Sequence, residues 1–175
     1  MTAEIFTVLC LPVHDQLYCR IFVKKQGQDR RRPRVDPKQL FHILRRGKAQ
    51  PGASELMGEI FGVELTTREE VVPYGKKLQE MGAQNVLVSM AGEGAVLIAA
   101  DGRVFDAPAP KGTLVNGVGA GDSMVAGFMA GWMQQQDYEH AFYMGLAAGS
   151  ASAFSVNLAT KEEVEAVYRQ VARID

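Results

Sequence analysis

The stretch Val115-Asn116-Gly117-Val118-Gly119-Ala120-Gly121-Asp122-Ser123-Met124-Val125-Ala126-Gly127-Phe128 decides how this chain is read. Glycines at 117, 119 and 121 lead into a carboxylate, and Met124, Val125, Phe128, Met129 and Trp132 then recur on one helical face. The pattern predicts a tight turn that opens a helix. Glycine lets the backbone come close to a ligand. The amides of Gly119, Ala120, Gly121 and Asp122 would be the unpaired donors of the helix start, where N–H groups and the helix dipole together favour a phosphate. A carboxylate in the first turn can take a proton from a hydroxyl nucleophile while those amides stabilise a transferring phosphoryl group. The plain alternative is that the dipole alone favours an acidic residue at Asp122. The stretch has neither the Lys-Ser/Thr ending of a Walker A loop nor the strand-adjacent G-x-G-x-x-G context of a dinucleotide fold.

Downstream, Asp137 is placed to cap a helix from Tyr138 to about Ala153, whose small residues (LAAGSASA) suit close packing. Thr160-Lys161-Glu162-Glu163 is a capping box, and Val164, Val167, Tyr168 and Val171 give the apolar stripe of a last helix. Upstream, Thr67-Arg68-Glu69-Glu70 is a second capping box, with Val71, Tyr74, Leu78 and Met81 at helical spacing before Gly82. Asn85 to Met90 is a short apolar run that predicts a buried strand. Ala95 to Ala100 and Arg103 to Ala107 flank Asp101-Gly102, which predicts a hairpin with a two-residue turn, both turn residues at positive φ. Pro108 and Pro110 end its second strand. Between strand and hairpin, Ser89-Met90-Ala91-Gly92-Glu93-Gly94 is a glycine-bearing loop at a strand end, suited equally to a ligand and to a simple connection.

The first 54 residues are less regular. Ile5 to Leu11 predicts a strand, Leu17, Ile21, Phe22 and Lys25 allow a helix, and Val35-Asp36 allows a strand end. Arg20 to Lys48 holds eleven basic residues against Asp29 and Asp36, a local charge of +9 in a chain whose net charge is −1. Such a block suggests a polyanion-binding arm or a segment foreign to its surroundings. Aromatic residues there are sparse (Phe22, Phe41) and no recognition motif is present, so nucleic acid is not the expected partner. The 175 residues, 47% hydrophobic and 22% charged, suit one globular domain and exclude disordered, collagen-like and disulfide-framework classes. No apolar run reaches the ~18 residues of a membrane helix. The first residues lack the marks of a secretion signal, and Cys10 and Cys19 have no metal-ligand spacing, so two reduced thiols in the cytoplasm are expected. His14, His42 and His140 have no partner at useful spacing and read as surface or capping residues, and Trp132 as core.

VNGVGAGDSMVAGFMAGW (Val115 to Trp132) resembles the C-terminal signature of the pfkB-type carbohydrate kinases, a ribokinase-like family. VLVSMAGEGAVLI (Val86 to Ile98) resembles that family's nucleotide-loop strand. GDSMVAGF and the run from Ser150 to Thr160 most resemble its 1-phosphofructokinase branch, with tagatose-6-phosphate kinases as relatives. The resemblance runs from about Glu55 to the C-terminus. It implies an α/β fold, an incomplete ribokinase-like three-layer α/β/α arrangement. Residues 55–175 would be the C-terminal ATP-binding and catalytic part, and residues 1–54 a divergent remnant of the central part. It implies phosphorylation of a sugar phosphate by ATP with Mg²⁺, fructose 1-phosphate to fructose 1,6-bisphosphate being the expected reaction. Asp122 matches the general base, and Gly119, Ala120 and Gly121 the anion hole. Ser89, Met90, Ala91, Gly92, Glu93 and Gly94 match the ATP loop, with Gly121 and Asp122 also against the nucleotide.

The departures concern the first part. Family members are about twice as long, and their lid and most sugar contacts lie N-terminal to this match, so a non-catalytic ATP-binding remnant is the alternative. A sheet lacking strands also exposes an edge and a face, which favours self-association. The family carries K-P-N-x-x-E before an E-x-F-G helix, whose Asn and Glu help organise metal and phosphates. Here Glu55 is the candidate for that Glu, but Gly52 stands where the Asn is expected. Codons that encode Gly47-Lys48-Ala49-Gln50-Pro51-Gly52 can, shifted by one base, read V-K-P-N-Q-E. A local frameshift restored just before Glu55 would account for the basic, aperiodic stretch.

Overall fold

The structure is a computed structural model that describes residues 8–13, 16–21, 53–80, 83 and 85–172. The readings placed on Val35-Asp36, Gly47–Gly52, Met81, Gly82, His14 and His42 lie outside them. Strand β1 (Val8–Val13) pairs antiparallel with β2 (Gln16–Ile21), Val8 opposite Ile21 and Val13 opposite Gln16. The helix allowed at Leu17 and Ile21 is therefore corrected to a strand. Two apolar residues four apart fit one helical face, but Leu-Tyr-Cys-Arg-Ile also alternates with period two, and pairing with β1 decides between them. The chain divides into two compact units, one made of the residues up to Met90 with Val96–Val104, the other of Ala91–Ala95 with Phe105 onward.

In the first unit, helix α1 (Ala53–Phe61) ends at Gly62, whose φ of +67° is the left-handed conformation glycine adopts freely. The Val63 amide then reaches back to the Gly58 carbonyl (2.9 Å), which satisfies a carbonyl the helix end would otherwise orphan. Helix α2 (Arg68–Glu80) starts on the expected capping box. The Glu70 N–H donates to Thr67 Oγ1 (3.3 Å), and Glu70 Oε2 accepts from the amides of Thr67 (3.1 Å) and Thr66 (2.8 Å). Those amide donors hold the Glu70 carboxyl below the usual carboxylate range. Strand β3 (Val86–Ser89) and strands β4 (Ala95–Ile98) and β5 (Val104–Ala107) form a sheet in the order β3-β4-β5. Met57, Val71, Leu78, Val86, Val88, Val96 and Ile98 make the core of this unit. Two buried-side polar groups tie it together: Asn85 Oδ1 accepts the Ala100 N–H (2.8 Å), and Gln79 Nε2 donates to the Ala99 carbonyl (3.1 Å).

The hairpin turn differs from the two-residue expectation. Gly102 has φ +88°, but Asp101 does not share the left-handed region. The Gly102 N–H donates to Ala99 O (3.0 Å) and the Ala99 N–H to Arg103 O (2.9 Å), so the loop is Ala100-Asp101-Gly102, a type I turn followed by a left-handed glycine. Asp101 stays out of the left-handed region because its carboxylate works locally, accepting Arg103 N–H (3.0 Å) and pairing with Arg103 Nε (2.8 Å). These bonds also lower the Asp101 carboxyl below its ordinary range.

The second unit is built on helices α3 (Ala120–Gln135), α4 (Tyr138–Phe154) and α5 (Lys161–Val171). Small residues set the α3–α4 approach. A Cβ on Gly127 would fall 2.6 Å from the Met144 carbonyl oxygen, and one on Gly145 2.8 Å from the Met124 carbonyl oxygen. The buried face of α3 is therefore Met124, Gly127, Phe128 and Gly131. Met129, expected on that face, is exposed, because glycines at 127 and 131 turn the contact line away from it. Trp132 is half-buried rather than core and lies against Tyr138, ring centroids 4.4 Å apart. Asp137 caps α4 as expected, Oδ2 accepting the His140 N–H (2.8 Å). Thr160 and Glu163 form the capping box of α5. His140 is no idle surface group: Nδ1 lies 2.8 Å from Tyr168 Oη and Nε2 3.1 Å from Gln134 Oε1, which joins α4 to α5 and to the end of α3. Burial, with the charges of Asp137 and Glu139 behind it, raises the Tyr168 hydroxyl above its ordinary pKa.

Candidate phosphate site

The α3 start is positioned by two stitched loops of the second unit. Gly119 is the N-cap, with φ +80° and no side-chain cap. The Ala120 N–H makes a long turn bond to Gly117 O (3.3 Å), and the Ser123 N–H makes the first helical bond to Gly119 O (2.9 Å). Of the four amides expected free, Ala120's is thus partly spent, and among the described residues those of Gly121 and Asp122 meet no acceptor. Asp122 lies in the first turn. Its Oδ1 is buried and has no hydrogen-bond partner among the described residues. Burial raises the Asp122 carboxyl above its ordinary pKa, since a desolvated carboxylate is disfavoured in its charged form. Such a group is a stronger base than a solvated aspartate when it is ionised.

Sequence reading passed over two residues that hold this turn. The Asn116 side chain donates from Nδ2 to Val156 O (3.1 Å), and its Oδ1 accepts the Val118 N–H (3.0 Å). The amides of Val115 and Asn116 both donate to Ala153 O (2.9 and 3.1 Å). Ser152, buried in α4, reaches Ser123 and the loop before α5. For Asn116 the available signal was the Asn-Gly dipeptide, where an Asn side chain commonly bonds to the backbone two residues on. For Ser152 it was a hydroxyl placed in an Ala-rich packing face.

Of the predicted ATP loop, Ala91–Glu93 form a single exposed 3-10 turn of the second unit, closed by Gly94 N–H to Ala91 O (3.1 Å). Ala91 has φ +47°, which is uncommon for a residue with a Cβ, and Gly94 has φ +100°. A Cβ on Gly94 would fall 2.7 Å from Ala109 N and closer to Ala107 O, so glycine is required by the backbone passing there. Ser89 and Met90 belong to the first unit. Met90's side chain is in that unit's core, so its backbone alone is left to meet a ligand. Glu55 lies within α1. Among the described residues no three His, Cys, Asp or Glu side chains gather as a metal cage. Mg²⁺ does not need one, because it is usually held by one or two carboxylates, water and the substrate's own phosphates. Asp122, in the first turn of the glycine-capped α3, is a carboxylate of the kind that mode uses. No described helix is long and apolar enough to cross a membrane.

A small sheet and α-helices, matched by solved ribokinase-like structures, define part of a ribokinase-like α/β fold. The chain belongs to the pfkB family of carbohydrate kinases, whose model matches residues 51–164. It is 53% identical over 122 residues to the 1-phosphofructokinase of Bacillus subtilis, a match covering 70% of this chain and 40% of that enzyme. It is 29% identical over 122 residues to the D-tagatose-1-phosphate kinase of Klebsiella oxytoca, again 70% of this chain and 40% of the relative. In fold it resembles phosphofructokinase-2 of Escherichia coli in complex with substrates and products, with a TM-score of 0.62, 24% identity, and 69% of this chain matched to 39% of that one. The chain thus spans about two fifths of the length of the relatives it matches.

Proposed function

We propose that this chain carries the ATP-binding and catalytic part of a sugar-phosphate kinase, with fructose 1-phosphate as acceptor, fructose 1,6-bisphosphate as product and residues 55–175 as the unit that does it. The observation that carries the reading is the buried, unpartnered carboxylate oxygen of Asp122 in the first turn of a glycine-capped helix. Asp122 takes the proton of the sugar hydroxyl as that oxygen forms its bond to the γ-phosphorus. The bond from the γ-phosphorus to the β–γ bridging oxygen breaks, and ADP leaves with the electron pair. The amides of Gly121 and Asp122, with Gly119 and Ala120 shaping the turn, face the charge that develops on the phosphoryl oxygens. Ala91 to Gly94, in the same unit as Asp122, contribute backbone to the nucleotide, the 3-10 turn presenting Ala91, Gly92 and Glu93 to solvent. Mg²⁺, when bound with ATP, neutralises phosphate charge. The reading places the protein in the cytoplasm and allows self-association.

The test is transfer of labelled γ-phosphate from MgATP to fructose 1-phosphate, by the wild type and by Asp122→Asn. Transfer by the wild type that the variant loses by several orders of magnitude, with ATP still bound, supports the reading. A variant that turns over at the wild-type rate refutes the base assignment. ATP binding without transfer by the wild type establishes the non-catalytic alternative. The tagatose-1-phosphate kinase among the relatives favours one competing acceptor, so D-tagatose 1-phosphate is assayed beside fructose 1-phosphate. D-Tagatose 6-phosphate is included as the branch alternative.

A further inference from the structure

Ser152 is 3% exposed and stands on the Ala-rich packing face of α4, where alanine would fill the space without a hydroxyl to desolvate. A buried hydroxyl is costly unless bonded, so its partners identify its use. Serine inside a helix commonly bonds back to its own preceding turn. Ser152 does otherwise. Its Oγ–H donates to Ser123 Oγ (2.9 Å), and its Oγ accepts the Ala159 N–H (3.2 Å). Ser123 follows Asp122 directly and makes the first helical bond of α3, to Gly119 O. Ala159 precedes Thr160, the N-cap of α5. One hydroxyl therefore joins the last turn of α4, the first turn of α3 and the entry to α5.

We infer that Ser152 is a positioning residue for the phosphate turn. Through Ser123 it holds Asp122 and the amides of Gly121 and Asp122 in register with the loop of residues 155–159. The inference rests on the reading of that turn as the phosphate site. Ser152 touches no substrate; it acts through Ser123. The affinity of the turn for a phosphate chain then depends on this hydroxyl pair and not merely on the stability of α4.

The test measures binding of inorganic tripolyphosphate to the full chain by calorimetry, for wild type, Ser152→Ala, Ser123→Ala, the double variant, Ser152→Thr and Asp137→Ala. A typical hydrogen bond contributes enough to change an equilibrium about 2- to 10-fold. Ser152→Ala and Ser123→Ala are each expected to weaken binding by about that factor. The double variant should be no weaker than Ser152→Ala, because that change already removes the Ser123 link. Ser152→Thr should restore most of the affinity. Asp137→Ala removes the α4 cap and lowers the melting temperature, yet should leave the affinity within about twofold, since a lost cap acts on helix stability. Additive losses, unchanged affinity in Ser152→Ala, or an equal loss in Asp137→Ala would each overturn the inference. If Ser152→Ala does not fold, Ser123→Ala decides alone, and unchanged affinity there overturns it. A wild type that does not bind tripolyphosphate overturns the phosphate-site reading itself, and this inference with it.

Discussion

Replacing Gly94 by alanine separates two demands made on one residue. Its φ is +100°, outside the range that a side chain tolerates. The added Cβ would lie 2.7 Å from both Ala109 N and Pro108 C, and closer to Ala107 O. All three are backbone atoms, which cannot rotate away. Ordinary contact is about 3.5 Å, so the backbone must retreat by at least about 0.8 Å, and by more at Ala107 O. Left-handed strain costs about 1–2 kcal/mol, and overpacking about 1–3 kcal/mol. Together these give a loss of about 2–5 kcal/mol, to be read from urea unfolding of wild type and variant. If the turn meets ATP, a shift of nearly 1 Å should also lower transfer by up to about 100-fold. Gly92 is the internal control: two residues earlier in the same loop, it has nothing within 4 Å of an added Cβ. Gly92→Ala should stay within about 0.5 kcal/mol of wild type. A Gly94→Ala variant as stable as Gly92→Ala would refute the steric reasoning.

Gly127→Ala puts a Cβ 2.6 Å from Ala148 Cβ and from the Met144 carbonyl oxygen. The overpacking, about 1–3 kcal/mol, outweighs the roughly 1 kcal/mol that alanine gains in a helix, so a net loss is expected in chemical denaturation. Thr160→Ala removes the α5 cap and should cost about 1 kcal/mol while leaving ATP affinity unchanged, as thermal unfolding and calorimetry would record. Asp122 gives a pH signature. Its carboxyl is raised in the folded chain, so the folded state holds its proton more tightly and loses stability as pH rises through the carboxylate range. Asp122→Asn lacks this cost. Its melting temperature should match wild type in acid and exceed it progressively until pH passes the raised pKa; a constant difference across pH would refute the assignment. Glu70 works in the opposite sense: its lowered carboxyl stabilises the fold above the ordinary carboxylate pKa, and that contribution disappears as pH falls. Glu70→Gln should therefore lower the melting temperature at neutral pH and converge with wild type in strong acid.

Much of the second half was legible because its signals are local. The capping boxes at Thr67 and Thr160, and Asp137 as a cap, each join residues three apart, and all appear as read. The run Asn85 to Met90 became β3, since a short apolar stretch bounded by turns has few other uses. Errors arose where a local pattern had two solutions. Asp101-Gly102 fits both a two-residue turn and the second half of a three-residue one, and the Asp101–Arg103 pair selects the latter. Leu17 and Ile21 fit helix and strand alike, and the choice depends on β1, a separate segment. Met129 was placed on the buried face by periodicity, which counts apolar residues; the α3–α4 contact runs instead along glycines, to which hydrophobic periodicity is blind.

The site divides in the same way, and the division has a consequence. The glycine-capped helix start, with Gly119 left-handed and Asp122 in the first turn, was readable because its geometry is written within six residues. What holds that turn in place is not. Asn116 bonds to Val156, forty positions away, and Ser123 to Ser152, twenty-nine positions away. A lone Ser or Asn has no periodicity, and its partner lies on another element, so no window of sequence contains the pair. The glycines that make the turn permissive leave it with little intrinsic preference for one conformation. Preorganisation must then come from outside the motif, because amides stabilise developing charge only if they are already aimed at it. Substitutions at Asn116, Ser152 or the 153–159 loop should therefore alter phosphate affinity as much as changes within the glycine-rich turn, although none of those positions is expected to touch the phosphate.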